Sequence, residues 1–185
     1  MKKHRHAHYV IVLVLLASLF CYILLSAPAL STNGDVVLSW ARQLGGGGNE
    51  VGNSTAIDST NNVYTTGYFS GTADFDPGEK SYELSAKDSD DIFVSKLDSE
   101  GNFVWAESFG GGGADDRGNS IAVDSNDNVY VTGYFSGTVD FDPGDGIFEL
   151  TSKDSQPDIF ILKLSGVDGS LIWAKQIGGE KKWFR

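Results

Sequence analysis

GNSTAIDSTNNVYTTGYFSGTADFDPG, residues 52–78, returns as GNSIAVDSNDNVYVTGYFSGTVDFDPG, residues 118–144. Gly67 and Gly133 set the step at 66 residues. Trp40, Trp105 and Trp173 recur at spacings of 65 and 68, each followed by Ala. The small insertions behind those differences lie beside a glycine run, at Gln156-Pro157 and near Gly166, where turns are expected. Insertions confined to turns imply that the segments between them are regular and packed.

Four strand signals lie inside each repeat. Ser120-Ile121-Ala122-Val123 and its copy at 54–57 are short and apolar, and residues 129–135 are rich in β-branched and aromatic side chains. DIFILKL (158–164) and DIFVSKL (91–97) mix apolar residues with a lysine that can reach solvent, and LIWA (171–174) and FVWA (103–106) make the fourth. Asp124-Ser125-Asn126-Asp127-Asn128, Asp98-Ser99-Glu100-Gly101-Asn102 and Val167-Asp168-Gly169-Ser170 punctuate them with residues suited to positive φ and Asx turns. No helical periodicity interrupts. Four short antiparallel strands in tandem predict an all-β, β-propeller-type array of four-stranded blades. Counted from the tryptophans, the repeats run over about 40–104 and 105–172, with a partial third at 173–185 and an incomplete ring.

The order A-V-D-S-x-x-N-V-Y-V-T-G-Y, D-F-x-P-G, D-I-F-I-L-K-L, then W-A and Gly-Gly resembles the bacterial β-propeller repeats of the SBBP type. The resemblance covers residues 40–179. It implies an exported or cell-surface repeat protein and brings no catalytic motif. Members of that family usually hold enough repeats to close a ring, whereas little more than two are present here. A blade buries its faces against two neighbours, so two blades leave apolar faces and strand edges exposed. Either the reading frame is partial, or several chains associate to complete a ring.

Outward from the repeats, residues 1–29 form a leader. Lys2, Lys3 and Arg5 precede an apolar run of 17 residues, Tyr9 to Leu25, and Ala27-Pro28-Ala29 offers the small-x-small pattern that predicts cleavage before Leu30. The alternative is an uncleaved anchor, because the run borders on spanning length. Cys21 makes a poor lipid-attachment site, with bulky Phe20 before it. Both readings put residues 30–185 outside the cytoplasm, secreted or at the cell surface.

The net charge is −11; without the three basic residues of the leader, 11 basic residues face 25 acidic ones, a net −14. So acidic a surface repels phosphate backbones and argues against nucleic acid. His4, His6, His8 and Cys21 are the only histidines and cysteine, and all lie in the leader. Residues 30–185 therefore exclude a Ser-His-Asp triad, a Cys-His pair, a zinc site of the usual ligands and any disulfide.

Three constellations remain. In Asp74-Phe75-Asp76 and Asp140-Phe141-Asp142, alternation puts both acids on one side and the phenyl on the other. The acids brace a solvated turn, or attract a hard cation such as calcium at Asp74, Asp76, Asp140 and Asp142. A catalytic carboxylate pair is disfavoured, since two identical copies suit architecture. Residues 124–128 superficially resemble the opening of an EF-hand loop but have Val129 at its glycine position and no closing glutamate, so an Asx-rich hairpin is expected. The glycine runs 45–48 and 110–113 lack a following Gly-Lys-Ser/Thr and read as flexible links between blades. The Trp-Ala pairs read as packing between blades; Tyr68, Tyr134, Phe69 and Phe135 are the aromatics that could stack on a carbohydrate.

The expectation is an exported, non-catalytic scaffold with a structural or interaction role and no cofactor other than calcium. Its partner is a protein or glycan, further blades, or other copies of itself; a membrane is met only through an uncleaved N-terminal segment. The alternatives are a calcium-dependent adhesion module and a fragment of a carbohydrate-active enzyme using Asp carboxylates.

Overall fold

The computed structural model describes residues 11–17, 20–26, 38–112, 115–153 and 156–178. The three histidines, the Ala27-Pro28-Ala29 motif and residues 181–185 lie outside them. Every regular element among the described residues is a β-strand.

The first blade is the antiparallel sheet β4 (Glu50–Ile57), β5 (Val63–Phe69), β8 (Asp91–Leu97) and β9 (Phe103–Phe109), in that order. The second repeats it as β10 (Arg117–Val123), β11 (Val129–Phe135), β14 (Asp158–Leu164) and β15 (Leu171–Ile177). A small hairpin interrupts each: β6 (Thr72–Asp74) with β7 (Glu83–Ser85), and β12 (Thr138–Asp140) with β13 (Glu149–Thr151). Ahead of them stand β1 (Ile11–Ala17), β2 (Phe20–Ser26) and β3 (Trp40–Gly46). The array is of the propeller type, and the described sheets do not close a ring.

Repeat and sheet differ in phase. A repeat counted from its tryptophan straddles two sheets, because the tryptophan strand is the last of a sheet and not the first. The reason is local. In the 98–102 turn the Asp98 amide donates to the Asn102 carbonyl at 2.8 Å, so β8 folds straight back into β9. Trp173 closes the second sheet in the same way, and β3 has the corresponding place ahead of the first blade.

The apolar leader, read from sequence as separate from the repeats, supplies two of the paired strands. β1 pairs with β2 from Ile11↔Ser26 to Ala17↔Phe20, and β2 with β3 from Cys21↔Leu44 to Leu25↔Trp40. A run rich in Val, Ile and Leu is compatible with strand geometry, and β3 alone would present an unpaired edge. No helix among the described residues is long and apolar enough to cross a membrane, which says nothing of strands.

Two cores result. Leu44 of β3 and Ala73 and Phe75 of the first hairpin pack with Val63, Phe69, Phe93 and Ala106 of the first blade. The other core spans both blades: Tyr64, Ile92, Val94, Trp105 and Phe109 of the first join Ile121, Val129, Phe135, Phe141, Phe160 and Leu162 of the second. One hydrophobic unit therefore crosses the seam. A register shift marks the same place in β4 and β10, between Gly52 and Ser54 and between Gly118 and Ser120. Opposite it, Gly67 and Gly133 lie so close to the Val51 and Arg117 carbonyls that a Cβ on either would collide with backbone.

Candidate functional site

Each Asp-Phe-Asp motif folds as alternation dictates. Phe75 is buried at 2 % exposure against Phe69 and Phe93, with ring centroids 5.5 and 5.1 Å away, and Phe141 is fully buried against Phe135 and Phe160. The acids turn back into their own hairpins. Asp74 Oδ1 accepts the amides of Asp76 at 2.9 Å and Tyr82 at 2.8 Å, and Asp76 Oδ1 accepts that of Gly78 at 2.8 Å. Asp140 and Asp142 do the same for Asp142, Phe148 and Gly144 at 3.0, 2.8 and 2.9 Å. Asp74 and Asp76 thus share one loop and Asp140 and Asp142 another. Among the described residues, no three His, Cys, Asp or Glu side chains gather as a metal would require.

The Asn- and Asp-rich turns are Asx hairpins. Asn61 (φ 65°) and Asp127 (φ 59°) supply the left-handed residue. Asp58 Oδ1 accepts the Thr60 and Asn62 amides at 2.9 Å, while Oδ2 accepts the Asn62 side chain at 2.8 Å and the Tyr64 hydroxyl at 3.1 Å. Burial pushes its pKa up, yet the bonds from Asn62 and Thr60 outweigh this and hold it below the ordinary carboxylate value. Asp124 repeats the pattern with Asn126, Asn128 and Tyr130, and its pKa is depressed by the bonds from Asn128.

The densest polar arrangement was not singled out by sequence reasoning. It lies at the seam between the blades. The Gly166 carbonyl, in the loop between β14 and β15, meets three groups of the first blade: Lys96 Nζ donates at 2.6 Å and Trp105 Nε1 at 3.3 Å, and the Tyr64 hydroxyl, whose one proton is shared with Asp58, lies at 3.3 Å. Tyr64 and Trp105 meet edge to face at 6.0 Å, and the Lys96 ammonium lies 5.0 Å from the Tyr64 ring centroid and 3.8 Å from Asp58. Burial lowers the Lys96 pKa, opposed by Asp58, and burial raises that of Tyr64. Gly169 (φ 79°) brings the loop down on the Trp105 ring, 3.0 Å from where its Cβ would stand. The same device recurs one blade earlier. Trp40 Nε1 donates to the Ser99 carbonyl at 3.1 Å, Arg42 donates to the Gly101 and Glu100 carbonyls, and Gly101 (φ 81°) lies on the Trp40 ring. The signal was in the sequence: Trp40 and Trp105 are each matched by a glycine-bearing turn, at Gly101 and Gly169.

Burial makes three acids hard to ionise, Glu107 beside the socket and Asp91 and Asp116 toward the opposite end of β8. Glu107 is pushed up to about 7 by burial and by Asp168 across the seam. Asp116, fully buried, is pushed up to about 6 by burial, although it accepts the Ser136 amide at 2.8 Å and the Gly111 amide at 3.1 Å. Burial also raises Asp91, whose Oδ2 accepts the Lys87 amide at 3.0 Å while Oδ1 has no hydrogen-bond partner. The glycine runs are more than links: Gly45 and Gly46 of β3 pair with Asp74 and Ala73 of β6, and Gly111 is packed beneath the Thr138 carbonyl. Phe69 and Phe135 are fully buried and offer no stacking surface; half-buried Tyr68 lies under the Arg117 guanidinium, 4.1 Å from its ring centroid.

A WD repeat-containing protein of Acanthamoeba polyphaga mimivirus, itself uncharacterised, is 28 % identical over 133 residues, covering 64 % of this chain and 9 % of that protein. The chain thus spans about a tenth of its relative's length. A crystal structure of a protein of unknown function from Bacteroides caccae aligns over 92 % of this chain and 73 % of its own, at 9 % identity and a TM-score of 0.30, a likeness too low to carry weight. The SBBP family model, a beta-propeller repeat, matches residues 39–75 and 104–135. These two segments match the SBBP beta-propeller repeat, and the sheets they help build are propeller-type blades.

Proposed function

We propose that this chain is an exported, non-catalytic repeat scaffold that presents blade surfaces to a protein or glycan partner at or beyond the cell surface. One observation carries the reading: the polar constellations come in pairs and serve architecture in both copies. The Asp58 and Asp124 turns, the Asp74 and Asp140 hairpins and the two lysine–tyrosine–tryptophan groups each repeat one geometry. An active site is needed once, whereas these acids are duplicated and each accepts backbone amides of its own turn. The basic, apolar and small-x-small leader and the acidic remainder support export.

Purified chain offered a panel of chromogenic glycosides and esters is expected to turn none over, while the immobilised chain retains a member of a polysaccharide and surface-protein array. Glycoside turnover that disappears in Asp74→Asn or Asp140→Asn would overturn the reading. Protein recovered from outside the cytoplasm is expected to begin near Leu30; a soluble cytoplasmic chain that keeps residue 1 would contradict export.

A further inference from the structure

The two blades offer one face in two states. In the first blade it is covered by the second: Ile92 is 0 % exposed, Phe109 1 % and Trp105 6 %. The same positions in the second blade are Ile159 at 50 %, Ile177 at 53 % and half-buried Trp173. Nothing among the described residues covers them. A groove of about 230 Å³ opens on this face, lined by Ser120, Ala122, Tyr130, Thr132 and Ile161 among others.

The socket is already formed there. Tyr130 and Trp173 meet edge to face at 6.1 Å, and Lys163 Nζ lies 4.8 Å from the Tyr130 ring centroid and 3.5 Å from Asp124. These values reproduce the Tyr64–Trp105–Lys96 group, which receives a loop carbonyl. A preorganised socket spends little ordering entropy on an incoming loop. Charge indicates which loop. Lys175 occupies in β15 the position of Glu107 in β9 and of Arg42 in β3. At the internal seam Glu107 faces acidic Asp168, an unfavourable pairing that adds to burial in raising its pKa. The loop equivalent to that of Asp168 in the first blade carries Glu100, beside the positive-φ Gly101. An acidic loop seated on Lys175 turns the repulsion into attraction.

We propose that the open face of the second blade is a docking site for a second copy of this chain, whose 98–102 loop enters the Tyr130–Lys163–Trp173 socket with Glu100 against Lys175. The contact is head-to-tail and rests on the scaffold reading. Within one chain that loop is held by Trp40 and Arg42 of β3, so β3 competes with the second copy and gives way when it docks.

Sedimentation equilibrium of the full chain tests this. The wild type is expected to self-associate as concentration rises. Lys175→Glu and Glu100→Lys each weaken association by roughly tenfold, as expected for charges across an interface, and their equimolar mixture restores it, since each brings the face or loop the other lacks. Trp40→Ala strengthens association and Trp173→Ala weakens it. A wild type that stays monomeric, or a mixture no better than either variant alone, overturns the proposal. A cooperative thermal melt for each variant separates lost docking from lost folding; the scaffold reading itself stands or falls on the turnover assay.

Discussion

Glu107, Asp116 and Asp91 are carboxylates that the fold keeps from ionising freely, and Asp58, Asp98 and Asp124 are carboxylates that it holds ionised. The first set binds protons more tightly folded than unfolded. Its contribution is complete below the unfolded carboxylate range and is lost as pH rises, through about 6 for Asp116 and about 7 for Glu107. The second set contributes above that range and loses its contribution as acid protonates it. Stability is therefore greatest in mild acid, with a higher melting temperature at about pH 5 than at about pH 8. Glu107→Gln flattens that fall; a melting temperature that rises steadily to pH 8 would show that these acids pay no burial cost. The Asp-Phe-Asp acids act as turn braces. Asp74→Ala strands the Asp76 and Tyr82 amides and costs about 1–3 kcal/mol. Since the two Asp pairs stay on separate loops, calcium and sodium chloride of matched ionic strength are expected to raise the melting temperature equally. A calcium-specific rise removed by Asp76→Asn and Asp142→Asn would establish a metal site.

Elements show where a sequence pattern speaks and where it is silent. Repetition and period-2 apolarity make the long strands legible, and Asn-Asp-Gly turns make their hairpins legible. The three-residue strands β6, β7, β12 and β13 are too short for any period to register, so the Asp-Phe-Asp-Pro-Gly stretch reads as a turn with its phenyl opposite the acids and not as part of paired strands. It is instead a hairpin whose phenyl plugs the blade core. Phe141→Ala is expected to cost about 3–5 kcal/mol, as for buried aromatics elsewhere; a loss below about 1 kcal/mol would make the hairpin a surface ornament. The seam was illegible for a different reason. The Gly166 carbonyl is a backbone atom, and its three partners lie 61, 70 and 102 residues away in the chain. No local pattern encodes such a contact, although the recurring pairing of a tryptophan with a glycine turn marks its place.

For the whole molecule, the repeats are expected to unfold as one cooperative unit, because the first blade lends a loop to Trp40 of β3 and the second lends one to Trp105 of the first. This nearest-neighbour logic makes equivalent residues unequal. Trp105 and Trp173 have the same strand position and the same tyrosine and lysine neighbours, and differ in whether a following loop covers them. Denaturant unfolding of Trp105→Ala and Trp173→Ala, at a concentration where the chain is monomeric, isolates that difference. Trp105→Ala is expected to lose about 3–5 kcal/mol and to take both blades with it, since its core spans the seam. Trp173→Ala is expected to lose only roughly 1–2 kcal/mol, in proportion to the smaller area buried. Equal losses would contradict seating of one blade on the next through the tryptophan socket.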